Sequence, residues 1–190
     1  MNNVKKYIDK HIEEITKIFS FDIKNLTEFT NTILNCKNKI FFTGIGKNGH
    51  VASKAASTFN SIGTQIFFIN PVDAVHGDMG LIEDNDVIVI ISKSGNTEEL
   101  ICFLENVINR TQNIWLIHSN QNNKSLKYCY KDIFIPIERE ADYLELVPTI
   151  SIAAYTILLQ SIACSITEIN HLTLSKFQSN HPGGSLGKIK

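Results

Sequence analysis

The chain has 190 residues, 43% of them hydrophobic, and its 18 basic and 19 acidic residues leave a net charge of −1. That balance suits one globular domain with a sizeable core and gives no electrostatic drive toward nucleic acid or a membrane surface. Cys36, Cys102, Cys129 and Cys164 form no C-x-x-C pair, and the opening "MNNVKKYIDKHIEE" lacks the apolar core of a signal peptide, so a cytoplasmic chain with reduced thiols is expected.

Residues 1–36 open with "VKKYIDKHIEEITKIF" and "IKNLTEFTNTILNC", whose apolar residues recur at helical spacing and predict two amphipathic helices of about four turns each. From Lys39 onward the runs "KIFFTG", "TQIFFIN", "DVIVIIS", "QNIWLIH" and "KDIFIPI" read as five buried strands. Helical stretches at 47–62 and 96–110, with a weaker one near 123–130, alternate with them. The alternation predicts an α/β fold, a three-layer αβα sandwich around a doubly wound, five-stranded parallel sheet. Its ligand belongs at the carboxyl ends of the strands. The segment "ISIAAYTILLQSIACSITEI" (150–169) approaches the length of a membrane span, but Gln160, several hydroxyl residues and Glu168 interrupt it and no basic flank follows. A helix buried in the core or between subunits is expected there. No repeat, linker or low-complexity tract divides the chain, so one domain over 1–190 is expected.

Two loops carry the chemistry. Gly44, Gly46 and Gly49 form a G-x-G-x-x-G between the first strand and its helix. A dinucleotide site would need an acidic residue about 20 positions on. The second strand ends instead in Asn70, and Lys47 stands inside the glycine turn, which suits a smaller anionic or oxygen-rich ligand. After the third strand, Ser92, Ser94 and Thr97 surround Gly95 at the entry to a helix. Hydroxyls and free N–H groups at a helix N-terminus can surround a phosphate, although an ordinary N-cap uses the same residue types.

The motifs "GIGKNGHVASKAASTFNSIGT", "VHGDMG", "VIVIISKSGNTEEL" and "HPGGSLGK" follow in the order and spacing of sugar isomerase (SIS) domains. Taken together they cover nearly the whole chain, which resembles the arabinose-5-phosphate isomerases. The resemblance implies an enzyme without a cofactor that interconverts arabinose 5-phosphate and ribulose 5-phosphate, on the route to the eight-carbon sugar acid Kdo of lipopolysaccharide or capsule. It further implies a short form without regulatory cystathionine-β-synthase-type domains, assembled as a homotetramer. The other readings of the same domain are a sedoheptulose-7-phosphate or hexulose-6-phosphate isomerase, or a noncatalytic phosphosugar sensor. Near-zero net charge and the lack of a DNA-binding segment weigh against a sensor.

Carried over from the family motifs, the catalytic candidates are Lys47, His76, Glu99, Glu140 and His181. Gly46, Ser92, Ser94, Gly95, Thr97 and Thr149 are the candidates for holding substrate and its phosphate. No metal is implied. Glu99 could instead complement a helix dipole, and Glu140, with Glu138 and Glu145 nearby, could be one of several solvated loop carboxylates. His181, beside Pro182 and two glycines, suggests a docked C-terminus. His50 is read as structural. The stretch after Glu140 departs from the family, with Thr149 and Ser151 retained but Ile150 and Ile152 in place of polar residues, and Lys93 is an unusual residue in the phosphate loop.

Overall fold

The computed structural model describes residues 3–183 and 185–188, so Gly184 of the last motif lies outside the described residues. Helices α1 (Asn3–Phe19) and α2 (Leu26–Asn35) precede β1 (Ile40–Gly44), α3 (Lys47–Ser61), β2 (Phe67–Phe68) and α4 (Pro71–Ala74). Then come β3 (Val87–Ile91), α5 (Glu98–Val107), β4 (Ile114–His118), β5 (Lys131–Phe134), α6 (Ile150–Ile169) and α7 (Leu174–Ser179). Short 3-10 turns occupy Asp78–Leu81, Lys124–Tyr128 and Leu186–Lys188.

The five strands form one parallel sheet in the order β2-β1-β3-β4-β5, and the predicted α/β architecture is the one observed. Strands β1, β3 and β4 are buried along their whole length, as continuous Ile, Val and Phe runs require. Successive side chains go to opposite faces. Phe42, Val89, Ile91, Trp115 and Ile117 pack with Phe29 and Ile33 of α2, Ala52, Ala55 and Phe59 of α3, and Ala154, Tyr155 and Leu158 of α6. Phe41, Ile88, Ile90 and Leu116 pack on the other side with Ala74 of α4 and Leu100, Phe103, Leu104 and Val107 of α5.

Strand order reverses between β1 and β3, so their carboxyl ends open a crevice. Helix α6 matches the predicted 150–169 segment. It is long and apolar enough to cross a membrane by length and composition alone, but it packs against α1, α2 and α3, with half of its most apolar window buried.

The expectation of five buried strands needs correcting at the edges. Strand β2 is two residues long, with Phe67 and Phe68 exposed, and β5 is only partly buried. The stretch near 123–130 is a 3-10 turn rather than an α-helix, so β5 has no crossover helix of its own and is tied instead to α2, where Asn25 Nδ2 donates to Asp132 O at 2.8 Å. Helix α2 is also shorter than predicted, because Asn25 adopts a left-handed conformation (φ 66°) that cannot continue a helix.

Candidate active site

The turn from β1 into α3 is built by its glycines. A Cβ on Gly49 would lie 2.7 Å from Gly44 O, and one on Gly44 would lie 2.9 Å from Ile91 O, so both permit close packing of helix and strands. Gly46, at φ 57°, supplies a turn that other residues adopt only with strain. Lys47 is the first residue of α3 and is exposed. It lines a groove of about 280 Å3 with His50, Val51, Lys54, Pro148, Ile152 and Thr156. His50, read as structural, therefore lies at the edge of the site, and Ile152 forms part of its wall.

The loop after β3 supplies a second, adjoining cleft of about 330 Å3, lined by Asn48, Ser92, Lys93, Ser94, Thr97, Ser119 and Asn120. Ser92 Oγ accepts the Gly95 N–H at 3.2 Å and Ser94 Oγ accepts the Asn96 N–H at 3.2 Å, which leaves each hydroxyl its own O–H to donate. Thr97 is the N-cap of α5, yet its side chain makes no cap bond and faces the cleft. Gly95 sits at φ 64°, and a Cβ there would lie 2.5 Å from the Asn123 side chain. Hydroxyl donors beside the N-terminus of a ten-residue helix can hold an anion. Ser119 and Asn120 were not predicted. Their place just past β4, at the carboxyl edge of the sheet, was the available signal.

Glu140 is 1% exposed and fully engaged. Its Oε1 accepts Lys93 Nζ and Ser151 Oγ, each at 2.6 Å. Its Oε2 accepts the backbone N–H groups of Thr149 at 2.8 Å and Ser151 at 3.2 Å, and the Thr149 hydroxyl at 3.3 Å. Burial alone would raise this carboxyl, but the donors, Lys93 foremost and Ser151 next, outweigh burial and hold it below its ordinary value. The carboxylate thus closes the N-terminus of α6 and meets the phosphate loop through Lys93. Sequence reasoning marked Lys93 only as unusual. Its partner lies 47 residues away, a separation that no local pattern reveals.

Of the predicted residues, Lys47 lines the groove and Ser92, Ser94 and Thr97 line the cleft, Gly46 and Gly95 lie in the turns beside them, and Glu140, bonded to Thr149, connects to the cleft through Lys93. Glu99 is exposed in the first turn of α5 beside Glu98 and does not line the cleft. His76 is exposed, just beyond α4. His181 lies at the far end of α3, where its neighbour Asn180 donates to Ser61 O at 3.2 Å. Its Nδ1 contacts Phe177 O at 2.8 Å and its ring stacks on Phe177. At about 1.5 Å per residue, α3 sets His181 roughly 20 Å from Lys47 of the same chain.

A family model described as SIS domain matches residues 33–165. Among curated proteins, the chain is 31% identical over 186 residues to the arabinose 5-phosphate isomerase KdsD of Yersinia pestis, covering 97% of this chain and 56% of that protein. It is 34% identical over 158 residues to the arabinose 5-phosphate isomerase GutQ of Escherichia coli K12, covering 83% and 49%. The chain spans about half the length of the curated relatives it matches. Among solved structures, E. coli CFT073 c3406 in complex with arabinose 5-phosphate superposes with a TM-score of 0.90 at 28% identity, over 96% of this chain and all of that one.

Proposed function

The chain belongs to the SIS-domain family, and from that premise we propose that it is an aldose–ketose isomerase interconverting D-arabinose 5-phosphate and D-ribulose 5-phosphate through a cis-enediol. The observation that carries this reading is the cleft at the β1/β3 crevice, where hydroxyls, a helix N-terminus and an ammonium surround space for a phosphate and a buried carboxylate stands directly behind the ammonium. The activity named for the curated relatives and the sugar-phosphate complex of c3406 support the same substrate.

In this scheme a carboxylate, Glu140 or Glu99, takes the proton from C2 of the open-chain aldose and returns it to C1, while a proton passes from the C2 hydroxyl to O1. One carbonyl is lost and one formed, so atoms and electrons balance. Lys47 stabilises charge on the enediolate oxygen. His76 or His181 opens the ring by carrying a proton between the ring oxygen and the anomeric hydroxyl. Because His181 lies far from Lys47 within one chain, it would serve the site of a second copy in a homotetramer. The scheme uses no metal, and we propose that it runs in the cytoplasm, supplying arabinose 5-phosphate for Kdo.

A panel of five- to seven-carbon sugar phosphates tests the reading. Turnover of arabinose 5-phosphate is expected, insensitive to chelators, with solvent deuterium entering C1 of the ketose in heavy water. Preference for a seven-carbon phosphate or a hexulose 6-phosphate would reassign the substrate. Binding without turnover of any member would make the protein a sensor.

A further inference from the structure

The Lys93 ammonium stands between two anion positions. On one side it donates to Glu140 Oε1 at 2.6 Å, and on the other it lines the cleft formed by the Ser92, Ser94 and Thr97 loop. Its side chain is 36% exposed whereas that of Glu140 is 1% exposed. One N–H is committed to Glu140, and an ammonium has three.

Glu140 has the opposite character. Both of its oxygens are occupied by donors, and a carboxylate in that state is a weak base with little room to approach a C–H bond. The groups facing it are the amides and hydroxyls of Thr149 and Ser151 at the start of α6 and the Tyr155 phenol one turn on. The Tyr155 hydroxyl contacts Ser119 Oγ at 2.5 Å. Lys10 of α1 ends on the neighbouring Ala141 carbonyl, and Arg139 turns away to Glu14 of α1. Among the described residues, Lys93 is the cation in hydrogen-bonding contact with Glu140.

We propose that Lys93 is a positioning residue coupling the phosphate cleft to Glu140: bound phosphate dianion draws the ammonium toward the cleft and leaves Oε1 of Glu140 with the Ser151 hydroxyl as its remaining donor, a stronger base toward the sugar. The proposal rests on the isomerase reading above. A phosphate dianion offers more charge and more acceptors than a single carboxylate oxygen, and the flexible four-carbon stem of lysine lets the ammonium follow it. The carboxylate is then a weak base in the empty site and a stronger one once substrate has bound. Binding energy from the remote phosphate would thereby appear in kcat as well as in KM.

The test uses the full chain labelled with 13C at the Glu side-chain carboxyl carbon, with the Glu140 signal assigned from Glu140→Gln and inorganic phosphate at about pH 8, where it is a dianion, as the probe. In the parent, phosphate sufficient to saturate the Gly95 amide shift should move the Glu140 carboxyl 13C signal toward its position in Lys93→Met, as the ammonium leaves Oε1. In Lys93→Met the signal should start at the displaced position and move clearly less with phosphate, and Lys93→Arg should restore the coupling. Lys93→Gln, which keeps a neutral donor toward the cleft, covers the case in which methionine weakens phosphate uptake. Equal phosphate-induced shifts in parent and uncharged variant would overturn the proposal. So would an unmoved Glu140 in a parent whose Gly95 amide reports bound phosphate. Phosphate that leaves the Gly95 and Thr97 amides unchanged would remove the phosphate site and both readings with it. Coupling in a protein that turns over no sugar phosphate would remove the isomerase reading alone.

Discussion

Glu140 sits between Glu138 and Glu145 in a charge-rich loop, yet the three carboxylates have different fates. Glu138 meets Lys17 at 2.8 Å on the surface and Glu145 lies 3.7 Å from Lys10, whereas Glu140 turns inward to the positive end of α6. Glu140→Gln keeps the size but loses the charge that these donors satisfy. We expect turnover to fall by about two to four orders of magnitude, and unfolding free energy to fall by about 1–3 kcal/mol. Steady-state kinetics and urea titration check the two effects. The pH dependence has a fixed sign. Since the folded carboxyl lies below its ordinary value of 4.5, its stabilisation is complete above that pH and is lost as pH falls through the folded value. The urea midpoint of the parent should therefore drop more steeply below about pH 4.5 than that of Glu140→Gln.

At the scale of elements, the junction of β1 and α3 is the most sharply constrained. A Cβ at Gly49 meets the Gly44 carbonyl at 2.7 Å, a backbone atom that no side-chain rotation can move aside. Gly49→Ala should push α3 off the strand and lower the urea midpoint despite alanine's better helix propensity, whereas Ser53→Ala, at an exposed position of the same helix, should be nearly neutral. Such central elements were legible in the sequence, because β1, β3, β4 and α6 are buried enough for their apolar patterns to be continuous. The edges were not. The run "IFF" looks like buried strand, but β2 has a sheet neighbour on one side only and leaves both phenylalanines exposed. The phosphate loop was readable because its hydroxyls and glycine are adjacent in sequence. The burial of Glu140 and its pairing with Lys93 were not, since both arise when β3 and the start of α6 meet in space.

For the whole molecule, the uncovered apolar surface has a defined place. Val4, Ile8 and Ile12 line one face of α1, and Tyr143, Leu144, Leu146 and Val147 stand exposed in the loop before α6. Lys10 of α1 holds that loop through the Ala141 carbonyl at 3.0 Å. Apolar area of this kind is expected to be covered by other copies of the chain. Ile8→Lys combined with Ile12→Lys should lower the mass measured by light scattering while leaving the far-ultraviolet circular dichroism of the fold in place. A parent already monomeric at micromolar concentration would refute the assembly. The tie between β5 and α2 bears on how the molecule opens. Asn25 bonds Asp132, Glu28 bonds Tyr130 and Lys131, and Phe29 packs edge-on against Trp115. An edge strand held this way has no private protection, so α2 and β5 should form one cooperative unit in native-state hydrogen exchange. The Ile133 amide should then exchange with the same opening free energy as Phe29 and Ile33, and well before Val89 in the middle of the sheet.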